Sequence, residues 1–254
     1  YKRQGFTFAQ DAPLWMRHSV ISPDGTTIAF TYKGDIYTVP VAGGRAMQIT
    51  TNPAYDTAPV WSPDSKRIAF ASDRMGSLDV YIVAKDGGEP RRLTTHSGSE
   101  TPLAFTDAGH VLFSAGIMPS AEAVVFPSNG QFNQVYRVSV EGGRPTMISS
   151  MPMECISINK EGAMLYQDKK GYEDYWRKHH VSPIARDIWM YTPGKEPQYR
   201  QLTTFGGEDR EPVWAPDGKT FYYLSEENGS FNIYRRTPGD AKAVQLTHYT
   251  KNPV

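Results

Sequence analysis

One pattern is written five times along this chain, and that repetition restricts the fold more than any other feature. Ser22-Pro23-Asp24-Gly25 is followed by Ile28-Ala29-Phe30, Asp35-Ile36-Tyr37, Gly43-Gly44 and Ile49-Thr50. The second copy reads Ser62-Pro63-Asp64, Ile68-Ala69-Phe70, Asp79-Val80-Tyr81, Gly87-Gly88 and Leu93-Thr94. The third is eroded, with Thr106-Asp107, Val111-Leu112-Phe113, Val135-Tyr136, Gly142-Gly143 and Ile148-Ser149. The fourth keeps Asn159-Lys160-Glu161, Met164-Leu165-Tyr166, Asp187-Ile188-Trp189 and Leu202-Thr203. The fifth restores Ala215-Pro216-Asp217-Gly218, Phe221-Tyr222-Tyr223, Asn232-Ile233-Tyr234 and Leu246-Thr247. A period of roughly 41–55 residues, with several short strands per unit, is the sequence form of a β-propeller. The expected fold is all-β: four-stranded blades, five present of an expected six, in an open ring. Asn252-Pro253-Val254 resembles Ala58-Pro59-Val60 and Glu211-Pro212-Val213, so a sixth unit is expected to begin there. The blades are placed at about 13–56, 57–101, 102–156, 157–211 and 212–254.

The second unit shows how the pattern works. Pro59 to Ser62 is the inner strand, and Pro63 to Lys66 is a turn in which Pro presets φ and Asp bonds its own backbone. Arg67 to Ser72 is an apolar run suited to burial on both faces between blades. A polar hairpin leads to Leu78–Val83, and Asp86-Gly87-Gly88 turns the chain into the rim strand Pro90–Thr94. One such sheet cannot cover its own faces, so the unit must recur. Asp35, Asp79 and Asp187, with Asn232 in the same place, are read as architectural, because a catalytic group is needed once and these occur in every complete unit.

Two insertions break the regularity, both between second and third strands: Gly116 to Gln134, and Asp168 through Arg186. Long loops in a compact domain tend to carry function. The second is dense in charge and aromatics, and the candidate ligand- or partner-binding residues lie in it: Trp176, Arg177, Lys178, His179, His180 and Arg186. Adjacent His residues diverge, and zinc needs three or four convergent ligands, so His179-His180 is read as solvated or packing, with a ligand contact second. Trp176 is read as an anchor for the loop, with a Trp176–Arg177 cation–π platform as the alternative. No catalytic residue, metal site or cofactor site is assigned. No Gly-x-Ser-x-Gly elbow occurs, and the six His residues lie in unrelated contexts. Asn228-Gly229-Ser230 matches a glycosylation sequon but sits in a hairpin turn.

Lys plus Arg equals Asp plus Glu, 27 each in 254 residues. That balance argues against a groove for nucleic acid. No apolar run approaches the roughly 18 residues of a membrane span. The single cysteine, Cys155, between Glu154 and Ile156, is expected to be a buried, inert thiol. Residues 1–12 are read as a signal-peptide remnant or scar with a linker: Thr7-Phe8-Ala9-Gln10 has the small residues of a cleavage site.

The repeat register resembles the PD40, WD40-like repeats of TolB and several peptidases. Pro13-Leu14-Trp15-Met16-Arg17, Lys33-Gly34-Asp35-Ile36-Tyr37, His96-Ser97-Gly98-Ser99-Glu100-Thr101 and the Trp176-to-His180 insertion resemble, more narrowly, the amino-terminal propeller of tricorn-like S41 serine peptidases of secreted Bacteroidetes type. The resemblance implies a non-catalytic propeller that gates peptide access to a catalytic core downstream. It implies as partners peptides or unfolded polypeptide, the protein's own PDZ-like and catalytic domains, and a possible homo-oligomer, in the periplasm or outside a Gram-negative cell. Tricorn anchors a peptide carboxylate with two basic residues in the loop entering its third blade. The matching segment here, Gly98-Ser99-Glu100-Thr101-Pro102, lacks them and carries an acid; Arg177, Lys178 and Arg186 are the nearest cationic substitutes. A TolB-like protein-binding propeller without a protease, and the propeller of a prolyl-oligopeptidase-like S9 enzyme, remain as alternatives.

Overall fold

In the computed structural model, residues 15–116, 133–171 and 181–251 are described. The five repeats become five antiparallel sheets of four strands, each in simple up-and-down order. The first holds β1 (Arg17–Ile21), β2 (Thr27–Tyr32), β3 (Asp35–Pro40) and β4 (Met47–Gln48). The second holds β5 (Asp56–Trp61), β6 (Arg67–Ser72), β7 (Asp79–Ala84) and β8 (Arg91–Arg92). The third holds β9 (Glu100–Asp107), β10 (His110–Ala115), β11 (Gln134–Ser139) and β12 (Thr146–Ser149). The fourth holds β13 (Met153–Ile158), β14 (Met164–Asp168), β15 (Ile188–Thr192) and β16 (Gln198–Gln201). The fifth holds β17 (Asp209–Trp214), β18 (Phe221–Ser225), β19 (Asn232–Arg236) and β20 (Val244–Gln245). The inner strands β1, β5, β9, β13 and β17 each touch the next, so the sheets are wedges around an axis. No helix of the described residues is long and apolar enough to cross a membrane.

The Ser-Pro-Asp turns close as their chemistry requires. Asp24 Oδ1 accepts from the Ser22 hydroxyl at 2.6 Å and the Thr26 amide at 2.9 Å, and the Thr27 amide donates to Ser22 Oγ at 3.0 Å. The same circuit joins Ser62, Asp64, Lys66 and Arg67. These bonds hold the Asp24 carboxyl down at about 2, the Ser22 hydroxyl contributing most.

The core lies between blades. Each blade presents a front trio to its successor: Ala29, Ile36 and Ile49, then Ala69, Val80 and Leu93, then Leu165, Ile188 and Leu202, all buried. The successor answers with a larger back face, such as Trp61, Ile68, Phe70, Tyr81 and Val83 against the first trio. Two indoles fasten the joints: Trp61 Nε1 donates to the Val20 carbonyl and Trp214 Nε1 to the Ala163 carbonyl, both at 3.1 Å.

The end blades show what an uncovered face looks like. Leu246 of the fifth front trio is 42% exposed, where its counterpart Leu202 is 5% exposed. Ile21 of the first back face is 58% exposed, where its counterpart Trp61 is 7% exposed. The chain of inner-strand contacts runs from β1 to β17, and among the described elements no substantial contact joins β17 back to β1. The described arc is open.

Candidate functional site: the axial mouth and the loop-bearing end

The inner strands are not regular. Pairing with the second strand slips by one residue between Arg17 and Val20, Thr57 and Val60, Pro102 and Ala104, Glu154 and Ser157, and Arg210 and Val213. A β-bulge therefore stands in every blade at the same level, where it bends the strand and re-aims a side chain. In four of them the bulged residue has left-handed φ: His18 at 50°, Ala58 at 51°, Cys155 at 52° and Glu211 at 54°. None is glycine, so each is held in a strained conformation by its surroundings. The prolines that follow Ala58 and Glu211 have no N–H to leave unpaired at this break in the ladder.

These bulged residues belong to the strands that line the axis, and their chemistry reflects it. Cys155 is exposed to solvent. The buried inert thiol expected from its apolar neighbour Ile156 is corrected in its first half, because the bulge turns the side chain off the packed face. The second half stands for another reason. Protein surrounds the thiol closely enough to push its pKa up to about 12, and the charges of Glu211 and Glu154 add to the shift. His18 is similarly lowered by desolvation and then by Arg17. The Glu211 amide donates to Gln167 Oε1 at 2.9 Å, and Gln167 Nε2 donates to Glu154 Oε2 at 3.1 Å, linking blades four and five beside the mouth.

Strand direction places both long hairpins at one end of the ring. Each inner strand starts at this end, so the hairpins joining β10 to β11 and β14 to β15 return there. The insertions occupy the hairpins expected from the sequence. Trp176, Arg177, Lys178, His179 and His180 lie outside the described residues, as do residues 1–14 and 252–254. Arg186 is described and buried. Its Nη1 donates to both Glu208 oxygens at 3.2 and 3.1 Å, and its Nε stands 3.6 Å from Glu154 Oε2. Lys169 pairs with Glu154 at 3.0 Å, and Lys170 bonds the Ala185 carbonyl at 2.8 Å and the Asp187 carboxylate. Three cations thus tie the two stems of the fourth-blade insertion to the sheet and to the loop entering blade five.

Glu100, the acid in the segment entering blade three, is not open to solvent. It is 1% exposed, and its amide donates to the Leu78 carbonyl at the joint with blade two. Two further features lay beyond sequence reasoning. One is the bulge ring, signalled only by Ala58-Pro59 and Glu211-Pro212. The other is a threonine clip. Thr50, Thr94, Thr203 and Thr247 accept, through their hydroxyls, the amides of Ile36, Val80, Ile188 and Ile233 at 2.9–3.0 Å. In the fifth blade the Thr247 hydroxyl donates in turn to Asn232 Oδ1 at 2.9 Å. In four blades the recurring Thr thus fastens the fourth strand to the start of the third, and in the fifth it engages the recurring Asn as well. Among the described residues, no three His, Cys, Asp or Glu side chains converge to hold a metal ion.

Comparison with known proteins bears on this arrangement. Tricorn protease homolog 1 of Streptomyces coelicolor is 25% identical over 224 residues, covering 88% of this chain and 20% of that protein. The tricorn protease homolog of Saccharolobus solfataricus is 22% identical over 248 residues, covering 92% of this chain and 21% of that protein. The chain thus spans about a fifth of these relatives. Among solved structures, the tricorn protease superposes with a TM-score of 0.74 at 18% identity, over 95% of this chain and 23% of that one. A putative TolB from Agrobacterium tumefaciens gives 0.71 at 16% identity, over 93% of this chain and 82% of that one. Residues 13–254 match the family described as the tricorn protease N-terminal beta propeller domain, and the chain belongs to that family.

Proposed function

We infer that this propeller is the non-catalytic access domain of a tricorn-like serine peptidase, guiding peptides along its axis toward a catalytic core elsewhere in the protein. Family membership supports the peptidase setting. The observation that carries the access role is the axial ring of bulged residues, with Cys155 and Glu211 open to solvent on neighbouring blades. The bulges stand in the halves of the inner strands nearer the end from which both long hairpins leave. The insertion residues Trp176 to His180, on a stem braced by the buried Arg186, would contact the peptide or the adjoining domains. A periplasmic or secreted location, PDZ-like and catalytic partner domains, and homo-oligomer formation belong to the same reading.

The test uses Cys155 in the whole peptidase. A bulky methanethiosulfonate reagent, with coupling at Cys155 verified by peptide mass, would obstruct the axis. Cleavage of long peptides should fall several-fold while cleavage of dipeptide-sized substrates is kept, and a Cys155→Ser variant should be indifferent to the reagent. Equal effects on long and short substrates would refute axial access. The near-equal superposition on TolB favours a second reading, a protein-docking propeller. That reading requires stable capture of a folded partner and no peptidase in the parent chain. An S9 parent would instead carry a Gly-x-Ser-x-Gly elbow.

A further inference from the structure

Three blade joints repeat one arrangement of acids. The residue that opens the third strand of one blade stands beside the residue that opens the inner strand of the next. Backbone bonds fix the register: the amides of Asp56, Glu100 and Asp209 donate to the carbonyls of Gly34, Leu78 and Arg186 at 2.8, 2.7 and 3.0 Å. The pairs are Asp35 with Asp56, Asp79 with Glu100, and Asp187 with Asp209, all buried. The joint between blades three and four has Gln134 and Met153 instead.

The three acid joints are not compensated alike. At the first, Arg74 Nη2 reaches both Asp56 oxygens at 3.0 and 3.1 Å, with its guanidinium 4.5 Å from the Tyr81 ring. At the second, Arg92 sits 2.9 Å from Asp79 Oδ2. No donor meets either Glu100 oxygen at full hydrogen-bond geometry, although the Thr94 hydroxyl and the His96 amide lie beside it. The charges acting on Glu100 are Asp79 from β7 and Arg92 from β8, and His96 from the segment entering β9 acts on Asp79. At the third, Lys170 and Gln201 hold Asp187. Asp209 keeps the hydroxyls of Ser225 and Thr203, and the charges acting on it, Asp187 and Glu227, are both negative. In the second joint one cation, Arg92, acts on both acids, and in the third Lys170 is shared between Asp187 and Asp168; a further buried negative charge is costly.

We propose that Glu100 and Asp209 each carry a proton in mild acid and act as proton-dependent clasps, so that the second–third and fourth–fifth blade joints tighten in mild acid and loosen in mild alkali. The direction agrees with burial, which pushes both carboxyls up to about 7. The unfolded chain releases those protons near pH 4, so stability is lost as pH rises from there toward 7 and then levels off.

The protonated carboxyl C=O stretch in infrared spectra of the wild-type chain gives a test that needs no variant. A protonated-carboxyl signal should persist at pH 6 and fade through pH 7 to 8; its absence at pH 6 would overturn the proposal. Glu100→Gln and Asp209→Asn should each remove part of that signal. Together the two should flatten a fall in melting temperature of roughly 5–10 °C expected for the wild type between pH 5 and pH 8. An unchanged slope in a folded double variant would also overturn it.

Discussion

At the scale of the residue, the recurring aspartates do two opposite things. Those in the Ser-Pro-Asp turns are exposed and collect hydrogen bonds, so Asp24, Asp64 and Asp217 are all lowered. A lowered carboxyl contributes stability above its unfolded value near 4 and loses it as pH falls through the folded value. The joint acids Glu100 and Asp209 are raised, and their contribution runs the other way. The sum predicts a stability maximum in mild acid, near pH 4–5, with losses toward pH 2 and toward pH 7. Thermal melts across that range check it, and a plateau from pH 5 to 8 would contradict it. The threonine clip makes a second prediction. Thr203→Val keeps the shape but removes the acceptor for the Ile188 amide and the hydroxyl beside Asp209. It should cost about 1–3 kcal/mol in denaturant titrations, the range for a buried polar group left unpaired. The sequence displayed both partners of that clip in nearly every unit. It could not join them, because the bond spans 14 residues and a strand reversal.

At the scale of the element, the second strand was the most legible, because its composition answers to burial on both faces. Arg67–Ser72 is strand β6 with the bounds its apolar run gives. The inner strand was least legible. Pro59–Ser62 was expected, but β5 runs from Asp56 to Trp61, because Asp56 and Thr57 pair with Ser72 and Ala71 before the bulge. A strand interrupted by a left-handed residue and a proline does not display period-two alternation, so its first half reads as loop. Cys155 was misplaced for the same reason, since alternation fails at the bulge. The candidate site divides likewise: charge in the fourth-blade insertion was visible, but the pairing of Arg186 with Glu208 needed the fold. The strain at the bulge can be measured. Ala58→Gly relieves a left-handed φ, offset in part by greater freedom of the unfolded chain. A net gain of about 0.5–1 kcal/mol is expected, whereas Ala58→Val should lose more than that because a β-branched side chain resists positive φ. A loss on Ala58→Gly would mean that the bulge is not strained.

At the scale of the whole molecule, the repeat made the architecture legible because every blade must solve the same covering problem. That same requirement fixes how the chain behaves in isolation. The front face of blade five, with Leu246 and Val213 exposed, is built like the front faces that blades two to five cover in the rest of the arc. The back face of blade one, with Ile21 exposed, Phe30 stacked on Tyr37 and Tyr32 edge-on to Tyr37, is built like the back faces that do the covering. The two uncovered surfaces are therefore complementary by construction, and a second copy can bring one against the other. Such a head-to-tail contact does not close by itself, so it propagates or ends in a reciprocal dimer. Residues 1–254 alone should show an apparent mass that rises with concentration in light scattering. Leu246→Lys with Ile21→Lys should restore a monomer, because a charge on either face cannot be buried against an apolar partner without large cost. A sharp, concentration-independent monomer for the unmodified chain would show that the end faces do not govern association. Purified residues 1–254 should also leave a fluorogenic peptide uncleaved. Turnover sensitive to a serine-directed inhibitor would place a nucleophile within this arc and overturn the proposed non-catalytic role.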